Sequence, residues 1–309
     1  MSSLSRSLAA LLCTAALAAA NPALAVREDA RRDPPAATID PEGWGAIMVD
    51  ANGHLAWRDT GERLILVEAN SNENRLRYWS EDPGAEYERL KALRSWGVNT
   101  VWVIVWGTDD PRVRLTPETL PDYRAFVETW AAMGGITHIV LGEQENHHLL
   151  SDAERRQLCD LALEMGRGCP VIYCIGEEIT QRVGVSYVRK WSDYLRQKAA
   201  GPILISVHNE LNWRPWSSLV GQGVVDLLAF QGSVSQAKSE LESWYQRGLA
   251  TNHPWAYQSV YEAMGISAWS LGQGFGRDGA VVLGVPAREN ESYVHDASEL
   301  VLSLLGQGR

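Results

Sequence analysis

Short, unbroken apolar runs alternate along this chain with longer stretches whose apolar residues recur at three- and four-residue steps. The runs at 64–69, 100–106, 136–141, 171–175, 203–207, 225–230 and 255–260 read as strands, most of them covered on both faces. The stretches at 85–96, 120–133, 152–165, 187–198 and 235–247 read as helices that pack through one apolar stripe. Ser151-Asp152 opens the third of these helices, and Thr116-Pro117 stands ahead of the second, both turn-type signals for a helix start. Before the first run, segments at 46–50 and 54–57 flank Ala51-Asn52-Gly53, and the Asn-Gly pair predicts a β-hairpin.

Sustained strand–helix alternation is the pattern of a parallel α/β architecture, and eight such units close a (β/α)8 TIM barrel. Residues 280–285 supply the eighth strand and 292–305 the closing helix, with 266–271 as a competing strand. The opening hairpin is then expected to plug the amino-terminal end of the barrel. With 309 residues, 45% hydrophobic and 21% charged, the chain is long enough for one large core, and a single barrel of this kind uses about 250 residues.

The amino terminus changes this picture. Arg6 precedes an apolar stretch at 8–20, and Ala23-Leu24-Ala25 has the small-x-small form of a cleavage site, so residues 1–25 read as a signal peptide. Residues 26–43, rich in Arg, Asp, Pro and Ala, read as a flexible lead-in, and 44–309 as the barrel domain. The apolar stretch is too short to span a bilayer comfortably, and Cys13 follows Leu11-Leu12 rather than a small residue, which argues against a lipid anchor. The mature chain is expected in the periplasm or outside the cell. Removing one Arg and no acid moves the formal charge from −10 to −11. That balance argues against nucleic acid or an anionic membrane as partner and leaves a neutral glycan open. Oligomeric state is left open. Three cysteines remain, Cys159, Cys169 and Cys174; their odd number excludes a fully paired framework and allows either one bridge or three buried thiols.

Functional groups of a parallel barrel come from the carboxyl ends of its strands. The first strand delivers Asn70, Asn72 and Glu73, and the second Trp106, Thr108 and Asp109. The third ends in Gly142-Glu143-Gln144-Glu145-Asn146-His147-His148, the fourth in Gly176-Glu177-Glu178, and the fifth in His208-Asn209-Glu210. Gln231 closes the sixth and Tyr261-Glu262 the seventh. Two carboxylates facing each other across a barrel mouth push their proton affinities apart and can divide acid and base labour, which is what glycoside hydrolysis needs. Glu178 and Glu262 fit that requirement. If Glu178 points inward, alternation sends Ile172, Cys174 and Gly176 inward as well, and Val171, Tyr173 and Ile175 toward the helices.

With Glu178 closing the fourth strand and Glu262 the seventh, the chain resembles the clan A-like, cellulase-like superfamily of retaining (β/α)8 glycoside hydrolases, β-mannanase-like enzymes among them. The segment from Thr137 to Asn146, THIVLGEQEN, followed by Ile175 to Glu178, IGEE, is similar to a group of bacterial glycosidase barrels with an E-x-E-N motif after strand three and L-G-E-E-N after strand four. The resemblance covers roughly residues 52–262. It implies a secreted hydrolase acting on an oligo- or polysaccharide, with Glu178 as general acid/base and Glu262 as nucleophile, and no cofactor. Asn70, Trp106, Glu143, Glu145, Asn146, Glu177, His208, Gln231 and Trp269 are the expected substrate contacts. Glu177 stands where the wider clan has an Asn, and Ile179 where the narrower group has one. A carboxylate accepts from a sugar hydroxyl but cannot donate as an amide does.

Two other readings use the same rim. A barrel that binds glycan without cleaving it fits the change at Glu177. A metal-dependent hydrolase would draw ligands from His147, His148, His208, Glu143, Glu145 and Glu210, although no H-E-x-x-H and no H-x-H after the first strand accompany them. Trp106, Trp213, Trp216 and Trp269 lie near strand ends, where an indole can stack on a sugar ring. Trp79, Trp96, Trp130, Trp191 and Trp244 lie in or beside helices and read as packing residues.

Overall fold

A computed structural model describes residues 45–51, 55–62, 64, 66–70, 75–95, 98–106, 113–142, 150–177, 179, 183–209, 219, 222–231, 256–262 and 279–284. Strands β1 (Ile47–Val49) and β2 (Leu55–Trp57) form an antiparallel hairpin, with Ile47 opposite Trp57 and Val49 opposite Leu55. Then follow β3 (Val67–Asn70), helices α1 (Arg75–Glu81) and α2 (Pro83–Ser95), β4 (Thr100–Ile104), α3 (Leu120–Ala132), β5 (Ile136–Val140), α4 (Asp152–Met165), β6 (Val171–Cys174) and α5 (Val185–Lys198). The order ends in β7 (Leu204–Asn209), β8 (Leu227–Gln231), β9 (Ala256–Glu262) and β10 (Gly279–Gly284). From β3 to β10 each strand pairs in parallel with the next, and β10 also pairs with β3.

The fold is therefore mixed α/β with parallel strands, as the alternation implies. The eighth run appears as β10. The competing strand at 266–271, the helices expected at 235–247 and 292–305, and the segments at 1–25 and 26–43 lie outside the described residues. Among the described residues no helix is long and apolar enough to cross a membrane.

Local chemistry explains the helices. Ser151 caps α4 through a capping box: its hydroxyl accepts from the Glu154 backbone while the Glu154 carboxylate accepts from the Ser151 backbone at 2.8 Å. Helix α3 carries proline in its first turn and buries Tyr123, Phe126, Val127 and Trp130 at helical spacing. Helix α1 is absent from the sequence expectation. It spans seven residues, too few for periodicity to register, and one of its buried positions is Arg75, paired with Glu86 of α2 at 2.7 Å.

Strand alternation divides the core in two. Val101, Val103, Ile139, Val171, Tyr173, Ile175, Ile205 and Val207 face the helices and pack with Trp79, Trp130 and Trp191. On the interior side, Ile136, Ile172, Leu204 and Leu227 meet Ile47 and Leu55 of the hairpin, which thus covers the amino-terminal end of the strands as expected. Above them lie Trp102, Ile104, Val140 and Cys174. Ile172 and Cys174 face inward and Val171, Tyr173 and Ile175 outward, the parity expected for the strand that leads to Glu178. The three thiols are free and buried, and burial pushes Cys159 and Cys174 up to about 12 and Cys169 up to about 11. They are inert packing groups rather than a bridge.

Candidate active site

Because β3 to β10 run in parallel, their carboxyl ends share one rim. Asn70, Trp106, Glu177, His208, Gln231 and Glu262 all lie at or just beyond those ends. For Asn70, Gln231 and Glu262 the backbone is described and the side chain is not. Glu143, Glu145, Asn146, Glu178 and Trp269 lie outside the described residues, as do His147, His148, Glu210, Trp96, Trp213, Trp216 and Trp244.

The pairing pattern continues past the strands into this rim. Leu141 N–H donates to Cys174 O at 3.0 Å and Ile175 N–H to Ser206 O at 3.0 Å. Glu177 N–H donates to Gly142 O at 2.9 Å and His208 N–H to Gly176 O at 3.3 Å. The β5, β6 and β7 ends are thus tied to one another on both sides of Gly176-Glu177. Trp106 does not extend β4 as the apolar run suggests. It forms an antiparallel bridge with Arg114, whose guanidinium lies 4.8 Å from the indole centroid. One face of this half-buried indole is thus occupied by a cation.

Beneath the rim lies a polar layer that sequence reasoning missed. His138 Nδ1 stands 3.1 Å from Glu68 Oε2, and His138 Nε2 stands 2.7 Å from Ser206 Oγ. All three residues are buried. With Glu68 as acceptor, Nδ1 carries the proton and Nε2 accepts from the Ser206 hydroxyl. The three come from alternate strands β3, β5 and β7, the arrangement of one side-chain layer in a parallel barrel. The backbone register puts Gln258 of β9 at the fourth position of that layer. Such layers are ordinarily branched and apolar. The available signal is a single polar residue at the inward parity of an otherwise apolar run, which describes both Glu68 and His138.

Trp102 covers this layer, its ring edge-on to His138 at 4.4 Å and to His208 at 5.3 Å between centroids. His208, an expected substrate contact, is fully buried at this level. Burial, with a smaller contribution from His138, pushes it down to about 3, so it is neutral in the folded protein. Cys174 belongs to one interior cluster with Trp102, and its thiol donates to Gly176 O at 3.3 Å. Among the described residues no group of three or more His, Cys, Asp or Glu side chains is placed to hold a metal ion.

No protein-family model matches the sequence, and no curated protein does. Solved structures do match. A β-1,4-mannanase from the common sea hare Aplysia kurodai aligns with a TM-score of 0.56 at 12% identity, over 82% of this chain and 95% of the mannanase. An exo-β-1,4-mannosidase from an Opitutaceae bacterium aligns at 0.54 and 14% identity, over 81% of this chain and 58% of that one. A Bacteroides vulgatus protein assigned to the glycoside hydrolases aligns at 0.58 and 12% identity, over 81% of this chain and 56% of that one. The chain thus spans a little over half the length of the latter two. At such identities the likeness is one of fold alone.

Two outcomes follow from the buried groups. Replacing His138 by Leu removes the hydrogen bond to the buried Glu68 carboxylate and costs about 1–3 kcal/mol. The double change Glu68→Met/His138→Leu recovers most of that loss, as urea unfolding will report. His208 stays neutral when folded but takes a proton when unfolded below its ordinary value of 6.5. Its contribution to stability is therefore present above pH 6.5 and is lost as the pH falls toward 3. In His208→Gln the urea midpoint falls less steeply across that window than in the parent.

Proposed function

We propose that this chain is an exported glycoside hydrolase that cleaves a β-linked oligo- or polysaccharide by a two-carboxylate, retaining mechanism on a complete (β/α)8 barrel. The observation that carries the reading is the register. Followed once around the eight strands, it returns to β3 displaced by eight residues, the shear of a TIM barrel. That register also favours a pair of carboxylates at one mouth. Leu227 belongs to the interior cluster, and alternation carries its parity to Gln231; Gln231 is registered with Val260, two residues before Glu262. On β6 the inward parity of Ile172 and Cys174 leads to Glu178.

In this reading Glu178 protonates the departing glycosidic oxygen while Glu262 attacks the anomeric carbon. Glu178, now a base, then takes a proton from the water that releases the sugar from Glu262. The half-buried Trp106 stacks on a sugar ring, and Asn70, Glu143, Glu145, Asn146, Gln231 and Trp269 hold its hydroxyls. The fold shared with proteins named as a β-1,4-mannanase and an exo-β-1,4-mannosidase makes β-mannosides the first substrates to try. Residues 1–25 serve as the export signal and 26–43 as the lead-in, which places the enzyme in the periplasm or outside the cell.

One observation favours a second reading, a barrel that binds glycan without cleaving it. Glu177 replaces the amide expected beside the acid/base, and its backbone N–H is committed to Gly142 O. This position therefore offers the substrate an acceptor and no donor.

A panel of aryl β-glycosides and β-1,4-mannan separates the two. The hydrolase reading predicts turnover that falls about 10²–10⁴-fold in Glu178→Gln and in Glu262→Gln. Mannan binding without turnover, undiminished in both variants, supports the second reading and overturns the first.

A further inference from the structure

Arg155 is a buried guanidinium with an unusual position. It sits in the first turns of α4, 1% exposed, and donates to two carbonyls on different strands. Its Nη1 reaches Leu141 O at 2.6 Å and its Nη2 reaches Ile175 O at 2.8 Å. Leu141 and Ile175 are the residues immediately before Gly142 and Gly176, from which the Glu143–Asn146 and Glu177–Glu178 segments emerge. Gly142 has φ +152°, outside the range side chains readily adopt, and it follows directly the carbonyl that the guanidinium holds.

The surroundings fix the side chain. The capping box at Ser151 and Glu154 seats the helix one residue before it. Tyr187 of α5 covers the guanidinium, its ring centroid 5.6 Å from Cζ, and Lys190 of α5 pairs with Asp152 of α4. Burying a guanidinium is costly before partners are counted. A planar fork spans two carbonyls in a fixed geometry, and an ammonium does not.

We propose that Arg155 is a positioning residue: it clamps the ends of β5 and β6 together and thereby sets the spacing of Gly142 and Gly176, the residues that precede the two acidic segments in the sequence. Its catalytic consequence rests on the hydrolase reading; the clamp does not. The Glu177 N–H to Gly142 O bond, which links the two segments directly, is held by the clamp.

The test uses the full chain with Arg155→Lys, Arg155→Met and the exposed neighbour Arg156→Met as control. Amide hydrogen exchange at Leu141, Ile175 and Glu177, whose N–H groups bond the neighbouring strand ends, is expected to speed up at least tenfold in Arg155→Met and less in Arg155→Lys. Exchange in the β5 and β6 interiors stays slow, and the control is unchanged. On a glycoside that the parent cleaves, kcat falls about 10–100-fold in Arg155→Met, KM moves little, and Arg155→Lys lies between, because small misplacement of reacting groups costs about that much. Parent-like exchange at these three amides in Arg155→Met overturns the clamp. Faster exchange with parent-like kcat overturns its catalytic role. If Arg155→Met does not fold, Arg155→Lys, which keeps the charge and loses the fork, decides: parent-like exchange there overturns the proposal. If the parent cleaves nothing, the hydrolase reading falls, and the exchange result alone judges the clamp.

Discussion

Parallel pairing of strands is the constraint on which everything else in this protein depends. It sends all carboxyl ends to one rim and, through alternation, decides which residues enter the interior. The pairing does not stop where the strands do. The bonds from Leu141, Ile175, Glu177 and His208 carry it up to three residues further at the ends of β5 and β6.

The interior answers to a second demand. Hairpin residues Ile47 and Leu55 seal the amino-terminal end with aliphatic packing, whereas the next layer holds Glu68, His138 and Ser206 in a continuous hydrogen-bonded chain. A buried carboxylate is tolerated only with partners, and a histidine fixed between a carboxylate and a hydroxyl has one tautomer and one orientation. This chain lies directly below Trp102 and His208. The mouth thus rests on a polar floor whose geometry is set by hydrogen bonds, while Arg155 holds the same strand ends from the helix side.

Much of this was legible in the sequence. Unbroken apolar runs located the strands to within a few residues, because a strand covered on both faces leaves a continuous signature. The signal for α4 was complete, from Ser151 to Met165, since its cap and its stripe agree. The parity of Ile172 and Cys174 followed from alternation once Glu178 was taken to point inward. What escaped notice escaped for physical reasons. Helix α1 is short, and Arg75 interrupts its buried face. Glu68 and His138 look like isolated polar residues until register brings three strands together. Trp106 ends an apolar run yet leaves the sheet, because its partner Arg114 lies on the following segment rather than on a neighbouring strand.

The central claim is that Glu178 and Glu262 share a retaining mechanism, and a retaining enzyme passes through a covalent sugar–carboxylate bond. Incubation with a 2-deoxy-2-fluoro glycoside bearing a good leaving group slows release of that intermediate, and peptide mass spectrometry then locates it. The account predicts one sugar per chain, attached to Glu262 and absent from Glu262→Gln. A sugar on a different carboxylate, or turnover that releases the inverted anomer with no adduct, would contradict it.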